Sequence, residues 1–256
     1  MSNPYDFSNS NALIVGGATG LGKEIANALA SHGADVLITS RNEKKLKTVT
    51  EEINELDING TCSFFPCDIT DTNSLKSLID HVSIVTGGKL NILFNSAGIN
   101  IRNPIEKIIE DDWDKIHDVN LKGAFLLNQL SFDLLRSADF GRVINIASIF
   151  SSVTYPDRAA YASSKGALLM LSKTLALEWA KYKITVNTIS PGPFLTEINT
   201  KVLENPENYE KFCTRIPMSR FGEPSEIITS ALFLASPMSS YITGTDLIVD
   251  GGWTSA

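Results

Sequence analysis

Residues 12–33 read ALIVGGATGLGKEIANALASHG, an apolar run, a glycine-rich turn and a stretch of helical periodicity that ends at Gly33. Glycines let the backbone turn tightly and approach a pyrophosphate, which then binds the amide groups at the positive end of the following helix. A glycine-rich turn alone is weak evidence for nucleotide binding, but here a strand and a helix flank the turn as this mechanism requires. The stretch therefore predicts a nucleotide-binding turn, whose residues are Gly17, Thr19, Gly20, Leu21 and Gly22.

Strand-like and helix-like stretches alternate along the rest of the chain, with no internal repeat or low-complexity linker. The 256 residues, 43% of them hydrophobic, suit one large domain with a sizeable core. We therefore predict the α/β class and a single Rossmann-type domain over residues 1–256. Its doubly wound parallel sheet should have about seven strands flanked by helices.

The composition limits the partners. The net charge is -7 with acidic and basic residues interspersed, so a small-molecule partner is expected, and no nucleic acid or membrane. Cys62, Cys67 and Cys213 are odd in number and lack ligand spacing, which favours neither a disulfide framework nor a metal site. There is no leader-like N-terminus and no apolar run of membrane-spanning length, so we expect a cytoplasmic protein.

The second predicted strand ends in Ser40 and Arg41, where the adenosine ribose of a dinucleotide should lie. An acidic residue there would bind the free 2'-hydroxyl of NAD, and none is present. A guanidinium favours a 2'-phosphate by roughly 1.5–3 kcal/mol, so NADP(H) is the preferred cofactor, with NAD(H) possible. Arg41 could instead be a solvated side chain at a strand end.

Two further strands end in residues suited to a dinucleotide. Asp68 and Ile69 could hold the adenine, although Asp68 could instead cap the next helix. The small residues of Asn95-Ser-Ala97-Gly98 would let the cofactor lie against the backbone, although Asn95 could simply brace the sheet.

A serine, a tyrosine and a lysine form the predicted proton-transfer site. Ser148 follows an apolar strand-like run, residues 142–147, and Tyr161 and Lys165 are four residues apart on one face of a predicted helix. An ammonium on that face should lower the pKa of the tyrosine, and Ser148 should hydrogen-bond the reacting oxygen. By itself Y-x-x-x-K occurs often by chance. Asn120 is either a satisfied core amide or a group that holds a water near Lys165.

The predicted strand that follows breaks at Pro191-Gly192, which opens a loop toward the cofactor's reactive end. The mixed charges and prolines beyond it are typical of a mobile substrate lid, over residues 193–220, and an ordinary surface excursion is the alternative.

Together these stretches resemble the classical short-chain dehydrogenase/reductase family over roughly residues 10–253. The resemblance implies an NAD(P)-linked oxidoreductase with Tyr161 as acid/base and Lys165 as the residue that lowers its pKa and binds the nicotinamide ribose. It further implies that Ser148 orients the substrate and that Asn120 supports a water-linked proton relay. Members are commonly homotetramers. The motifs are Gly17-Gly20-Gly22, Asp68, Asn95–Gly98, Asn120, Ser148, Tyr161, Lys165, Pro191-Gly192 with Phe194 and Thr196, and Val249-Asp-Gly-Gly252.

Three positions depart from the family pattern. Gly16 stands where threonine is usual, and Asn95-Ser96 replaces the commoner Asn-Asn. Thr19 occupies a position that is often Lys or Arg in NADP-binding members, so the NADP preference rests on Arg41 alone.

The second half is similar to gluconate 5-dehydrogenase-like enzymes of carbohydrate metabolism, in PGPFLTE, SRFGEPSEI and VDGGWT. It also resembles 3-oxoacyl carrier-protein reductases. Arg102 and Arg158, near the expected mouth with Ser148, could pair a sugar-acid carboxylate or be ordinary surface arginines. Two other classes of protein fit part of the pattern: a non-catalytic NADPH-binding module, and a Rossmann-like methyltransferase, which shares the opening strand, glycine turn and helix.

Overall fold

Seven parallel strands form one sheet in the order β3-β2-β1-β4-β5-β6-β7. The computed structural model describes residues 3–256. β1 lies inside the sheet, where Val15 pairs with Thr39 of β2 on one side and Asn95 of β4 on the other. The strands are β1 Asn11–Val15, β2 Asp35–Ser40, β3 Thr61–Pro66, β4 Ile92–Asn95, β5 Gly141–Ile146, β6 Ile184–Pro191 and β7 Asp246–Val249.

Helices cover both faces of the sheet and bury two separate apolar clusters. One cluster joins the sheet to α1, α2 and α9, and the other joins it to α3, α5 and α6. Side-chain caps fix two helix starts, since Asn42 accepts from the Lys45 amide and Asp71 from the Asn73 amide. The helices are α1 Gly20–Ser31, α2 Glu43–Asn54, α3 Thr72–Val85, α4 Glu110–His117, α5 Gly123–Ser137, α6 Ala159–Trp179, α7 Thr200–Leu203, α8 Pro206–Cys213 and α9 Ile228–Ala235.

The strand order reverses direction between β1 and β4, because the chain builds outward from β1 to β3 and then returns to β4. In open α/β sheets, ligands bind at this switch point, outside the carboxyl ends of the strands. The prediction of a Rossmann-type parallel sheet of about seven strands is confirmed. No helix among residues 3–256 is long and apolar enough to cross a membrane.

The helical region formed by α4 and α5 is interrupted. Between α4 and α5 lies one π-helical turn, Asp118–Lys122, which contains Asn120. Such turns occur frequently at functional sites, because the widened turn changes where its side chains point.

The predicted lid has an apolar cluster of its own. Val202 of α7 and Phe212 of α8 pack with Ile149, Phe221 and Trp253, apart from both faces of the sheet. Residues 193–220 are thus a folded cover, anchored to the segment after β5 and to the C-terminal turn.

Candidate active site

A cavity of about 860 Å³ opens at the carboxyl ends of the strands. Its walls come from the glycine turn, the ends of β2, β4, β5 and β6, the start of α6 and the cover segment. Most of the site residues predicted from sequence line this cavity, and four do not: Gly17, Gly22, Asn95 and Asn120.

The glycine turn forms the part of the wall that precedes α1. Thr19, Gly20 and Leu21 line the cavity, and the Thr19 side chain makes no capping bond to the first turn of α1. The amide groups at this helix start thus need other partners, such as an anion.

The glycines beside this turn serve close packing. At Gly16, φ is +82° and an added Cβ would lie 2.8 Å from the Ala97 amide nitrogen, which accounts for glycine where the family usually has threonine. Gly17 packs against Ile38, and an added Cβ at Gly22 would overlap the Gly16 carbonyl oxygen. Gly17 and Gly22 therefore let α1 approach the sheet and act on a cofactor only through the turn's shape.

Ser40, Arg41, Asp68 and Ile69 line the far end of the cavity. The Asp68 carboxylate accepts from the Thr70 amide at 2.9 Å and its hydroxyl at 2.8 Å. Burial acts to raise the pKa of Asp68, but these hydrogen bonds and the charge of Arg41 hold it below its usual value. Asp71 rather than Asp68 caps α3, so the capping alternative for Asp68 is wrong.

Tyr161 and Lys165 lie on the same face of α6, as their spacing predicts. The Lys165 ammonium is 5.9 Å from the centre of the Tyr161 ring and donates to the Ile146 carbonyl oxygen at 2.7 Å. Both side chains are buried at the cavity wall. Burial lowers the pKa of Lys165 to about 8.

The electrostatic surroundings of Tyr161 differ from the prediction. Burial raises the pKa of the phenol above its ordinary value, and the Ser148 hydroxyl, Arg158 and Arg102 act against that rise, in decreasing order. Burial thus favours the protonated phenol, which can donate a proton, and the two arginines favour its ionised form.

Ser148 stands just past the end of β5 and faces Tyr161. Its oxygen accepts a hydrogen bond from the Phe150 amide at 3.2 Å, at the start of a short 3-10 turn. The Ser148 hydroxyl lies near enough to the Tyr161 phenol to act against the rise of its pKa.

Asn120 is a buried, hydrogen-bonded amide behind the cavity wall. Its side-chain oxygen accepts from the Ile99 amide at 2.8 Å, and its nitrogen donates to the Ile99 carbonyl at 3.0 Å and to Ser164 Oγ at 3.1 Å. It lies close to the lysine, because an added Cβ on Gly98 would be 3.4 Å from both Asn120 Oδ1 and Lys165 Nζ. Asn120 thus fixes the loop after β4 beside Lys165.

Some residues at the end of β4 line the cavity and one lies behind its wall. Ala97 and Gly98 line the cavity. Asn95 lies within the sheet, and its buried side-chain oxygen has no hydrogen-bond partner among residues 3–256. The Asn95 side chain does not reach the cavity wall. Of its two predicted positions, against the cofactor or within the sheet, the structure shows the second.

Two arginines lie at the opposite end from Arg41. Arg102 donates from Nη2 to the Ile198 carbonyl at 3.4 Å and to Asn199 Oδ1 at 3.2 Å. Arg158 is buried beside Tyr155. Both line the cavity, so the alternative of ordinary surface arginines is wrong.

The cover segment forms part of the cavity wall. Pro191, Gly192, Phe194 and Thr196 line it, as predicted. Asn199 also lines it and was not predicted, because its role depends on contact with Arg102, 97 residues away in sequence.

The residues present fit a dinucleotide. The uncapped helix start suits a pyrophosphate, Arg41 suits a phosphate on the ribose, and the bare wall at Gly98 leaves room beside Lys165. The cavity therefore offers anion-binding groups at the glycine turn and at Arg41, and a proton donor at Tyr161.

Comparisons with known proteins agree with this arrangement. The family sequence model described as Enoyl-(Acyl carrier protein) reductase matches residues 16–254. The chain is 36% identical to a tropinone reductase homolog of Arabidopsis thaliana, covering 98% of this chain and 94% of that protein. It is 32% identical to gluconate 5-dehydrogenase of Gluconobacter oxydans, covering 99% of both.

Among solved structures, the chain is similar to a gluconate 5-dehydrogenase from Burkholderia cenocepacia in complex with NADP and tartrate. The TM-score is 0.92 and the identity 34%, covering 99% of this chain and 98% of that one. The site of Tyr161 and Lys165 thus lies in a fold shared along the whole chain.

Proposed function

Since the chain belongs to the short-chain dehydrogenase/reductase family, whose members are oxidoreductases acting on CH-OH groups, we propose that it interconverts a sugar acid and its keto form with NADP(H). Gluconate and 5-keto-gluconate are the type pair. The observation that carries this proposal is the convergence of Tyr161, Ser148 and two arginines on one cavity that begins at the glycine turn.

Thr19, Gly20 and Leu21 would hold the cofactor's pyrophosphate, and Arg41 its ribose phosphate. The bound nicotinamide supplies or accepts the hydride. Lys165 would bind the nicotinamide ribose, and its bond to Ile146 fixes the ammonium for that contact. The similar gluconate 5-dehydrogenase from Burkholderia cenocepacia binds NADP in its crystal structure, which supports this choice of cofactor.

Tyr161 would exchange the proton. In the direction of reduction, its phenol donates to the carbonyl oxygen of the substrate, to which Ser148 Oγ also donates. The raised pKa of the phenol keeps it protonated for this step. In the direction of oxidation, the same oxygen must be ionised, and the charges of Arg158 and Arg102 favour that form. Asn120 would support a water-linked relay through Lys165.

The acidic substrate is supported by the charge at this end of the cavity. Two guanidinium groups lie beside Tyr161, and a neutral substrate would leave both without an anionic partner. The names of relatives that act on gluconate and 5-keto-D-gluconate agree with this charge. No contact in the cavity favours the alternative, a 3-oxoacyl carrier-protein substrate.

We also propose a homo-oligomer, a tetramer by analogy with the family. Trp113, Phe125 and Met170 expose apolar side chains on α4, α5 and α6, and β7 leaves a free sheet edge at which Ile248 is exposed. Two such surfaces on one chain would generate a dimer of dimers. Sedimentation of Trp113→Glu and Ile248→Glu tests this, since each should halve a tetramer.

We propose a cytoplasmic location because the cysteines of the chain are not paired in disulfides. All three are free thiols, and burial raises the pKa of Cys62 to about 11, so it stays protonated. Fractionation of expressing cells, followed by blotting, tests the location.

Absorbance of the reduced nicotinamide tests the reaction. The protein is incubated with NADPH or NADH and with 5-keto-gluconate, a neutral keto-sugar or an acetoacetyl thioester. We expect oxidation of NADPH by the keto acid. Reaction with the thioester alone would move the protein to the alternative substrate, and no reaction with any carbonyl would leave only a binding module.

A further inference from the structure

Arg158 is a buried cation whose hydrogen-bonding capacity is almost unused. Only 5% of the residue is exposed. Within residues 3–256, its guanidinium makes one hydrogen bond, from Nη1 to the carbonyl of the adjacent Asp157, and Nε has no partner. A guanidinium has five N–H donors, so most of those of Arg158 make no hydrogen bond within the described part of the chain.

No acidic side chain among residues 3–256 forms an ion pair with this cation. Glu197 and Glu204 line the same cavity, but neither carboxylate lies within 4 Å of a described arginine in that cavity. Burial and, to a smaller extent, the charge of Arg102 lower the pKa of Arg158 to about 10, against the opposing charge of Asp157, so the group stays charged at neutral pH. A buried, unpaired charge is strongly unfavourable unless a ligand completes it.

Arg102 differs from Arg158 in this respect. Its Nη2 is already bonded to Ile198 and Asn199, the first turn of the cover segment. Arg102 therefore anchors the cover segment at the cavity, whereas Arg158 keeps N–H donors that are free to bind a ligand.

The surroundings of Arg158 direct those donors toward the substrate. The centre of the Tyr155 ring lies 6.0 Å from Arg158 Cζ and 4.9 Å from Arg215 Cζ, so both guanidinium groups pack on this ring. Arg158 also acts on the pKa of Tyr161, which places its charge near the reacting oxygen. Asn100, which lines the cavity, has a buried side-chain oxygen without a partner among the described residues, and this oxygen can accept from a hydroxyl.

We infer that Arg158 is the carboxylate-binding and specificity-determining residue, and that Arg102 is a positioning residue for the cover. The inference rests on the proposed function and narrows it to a substrate that carries a carboxylate, with a hydroxyl group beside it. The planar guanidinium fits a carboxylate through two parallel hydrogen bonds. A phosphate would fit the same fork and is separated by the experiment.

The experiment uses the whole chain with NADPH and D-gluconate, two reduced compounds that bind without reacting. Calorimetry measures the Kd of gluconate, of neutral D-glucitol and of glucose 6-phosphate. Arg158→Met should weaken gluconate about 10- to 100-fold and leave glucitol within about 3-fold. Arg158→Lys should recover part of the loss, and Arg102→Met should weaken both polyols alike. Arg215→Met is the matched control, since Arg215 packs on the same ring outside the cavity.

Thermal unfolding without ligand gives a second measurement. Removing an unpaired buried charge should raise the Tm of Arg158→Met by about 2 °C or more, whereas loss of a structural anchor would lower it.

A lowered Tm with unchanged gluconate binding would overturn the inference, and so would glucose 6-phosphate binding more tightly than gluconate through Arg158. If gluconate binds through Arg158 but no sugar acid is turned over, the proposed function fails and the inference stands. If Arg158→Met turns over the keto acid with an unchanged KM, the inference fails and the proposed function stands.

Discussion

The Lys165 ammonium lies 2.7 Å from the Ile146 carbonyl oxygen, at the last residue of β5. This hydrogen bond joins the second turn of α6 to the carboxyl end of the sheet and holds a buried cation at the cavity wall. The lysine consequently keeps its position without a carboxylate partner, and its charge is destabilising in the folded, ligand-free chain.

The free energy of unfolding should therefore rise with pH above neutrality. The pKa of Lys165 is lowered from 10.5 to about 8, so between these values the unfolded chain binds more protons than the native one. The slope is about 1.4 kcal/mol per pH unit from about pH 8 upward, until thiols of the unfolded chain ionise near pH 9 while the buried Cys62 thiol of the folded chain stays protonated. Urea denaturation at pH 7.5 to 9.5 measures it. Lys165→Met should flatten the slope, and an unchanged slope would show that another group titrates.

Cofactor selectivity should depend on Arg41. Arg41→Ala should weaken NADPH about 10- to 100-fold and leave NADH almost unchanged, because only the 2'-phosphate loses a charge-assisted contact. Quenching of protein fluorescence by each nucleotide gives both Kd values. Equal losses for NADPH and NADH would mean that Arg41 supports the turn rather than the phosphate.

The Lys45–Glu197 ion pair joins α2 to the cover segment at 2.8 Å, with both side chains about half exposed. Exposed pairs contribute little, so Lys45→Met should change the free energy of unfolding by less than about 1 kcal/mol. Denaturation of Lys45→Met beside Lys47→Met, the neighbouring control, measures this. A loss well above 1 kcal/mol would show that the cover depends on this pair.

Arg142 should be the arginine on which stability depends. It is buried in β5 and donates to the carbonyl oxygens of Ser236 and Pro237, just past α9, and of Gly141. Arg142→Met would leave these oxygens unsatisfied, so we expect a loss of about 2–4 kcal/mol in urea denaturation. The exposed Arg136→Met is the control and should stay within about 0.5 kcal/mol. A loss of that small size for Arg142 would contradict its role.

The sequence predicted the features that depend on local pattern. The strand, turn and helix at the start, the parallel sheet, and the common face of Tyr161 and Lys165 follow from periodicity and spacing. It did not distinguish the two arginines, because Arg102 is bonded to a segment 96 residues away. The raised pKa of Tyr161 was also missed, since burial depends on tertiary packing.

The π turn at Asn120 had no local signal either. No proline or glycine interrupts residues 113–122, and the turn is accompanied by contacts from Asn120 to Ile99 and Ser164. The cover segment likewise has ordinary surface composition, and its apolar cluster forms only with residues after β5 and at the C-terminus.

Turnover by Tyr161→Phe tests the central proposal most directly. With NADPH and 5-keto-gluconate, the variant should lose at least about 100-fold in kcat, because the phenol is the proton donor. Its Kd for NADPH should stay within about 3-fold, and Tyr155→Phe, which changes a tyrosine of the neighbouring cluster, should retain turnover. A Tyr161→Phe enzyme that binds NADPH and keeps most of its kcat would show that another group transfers the proton.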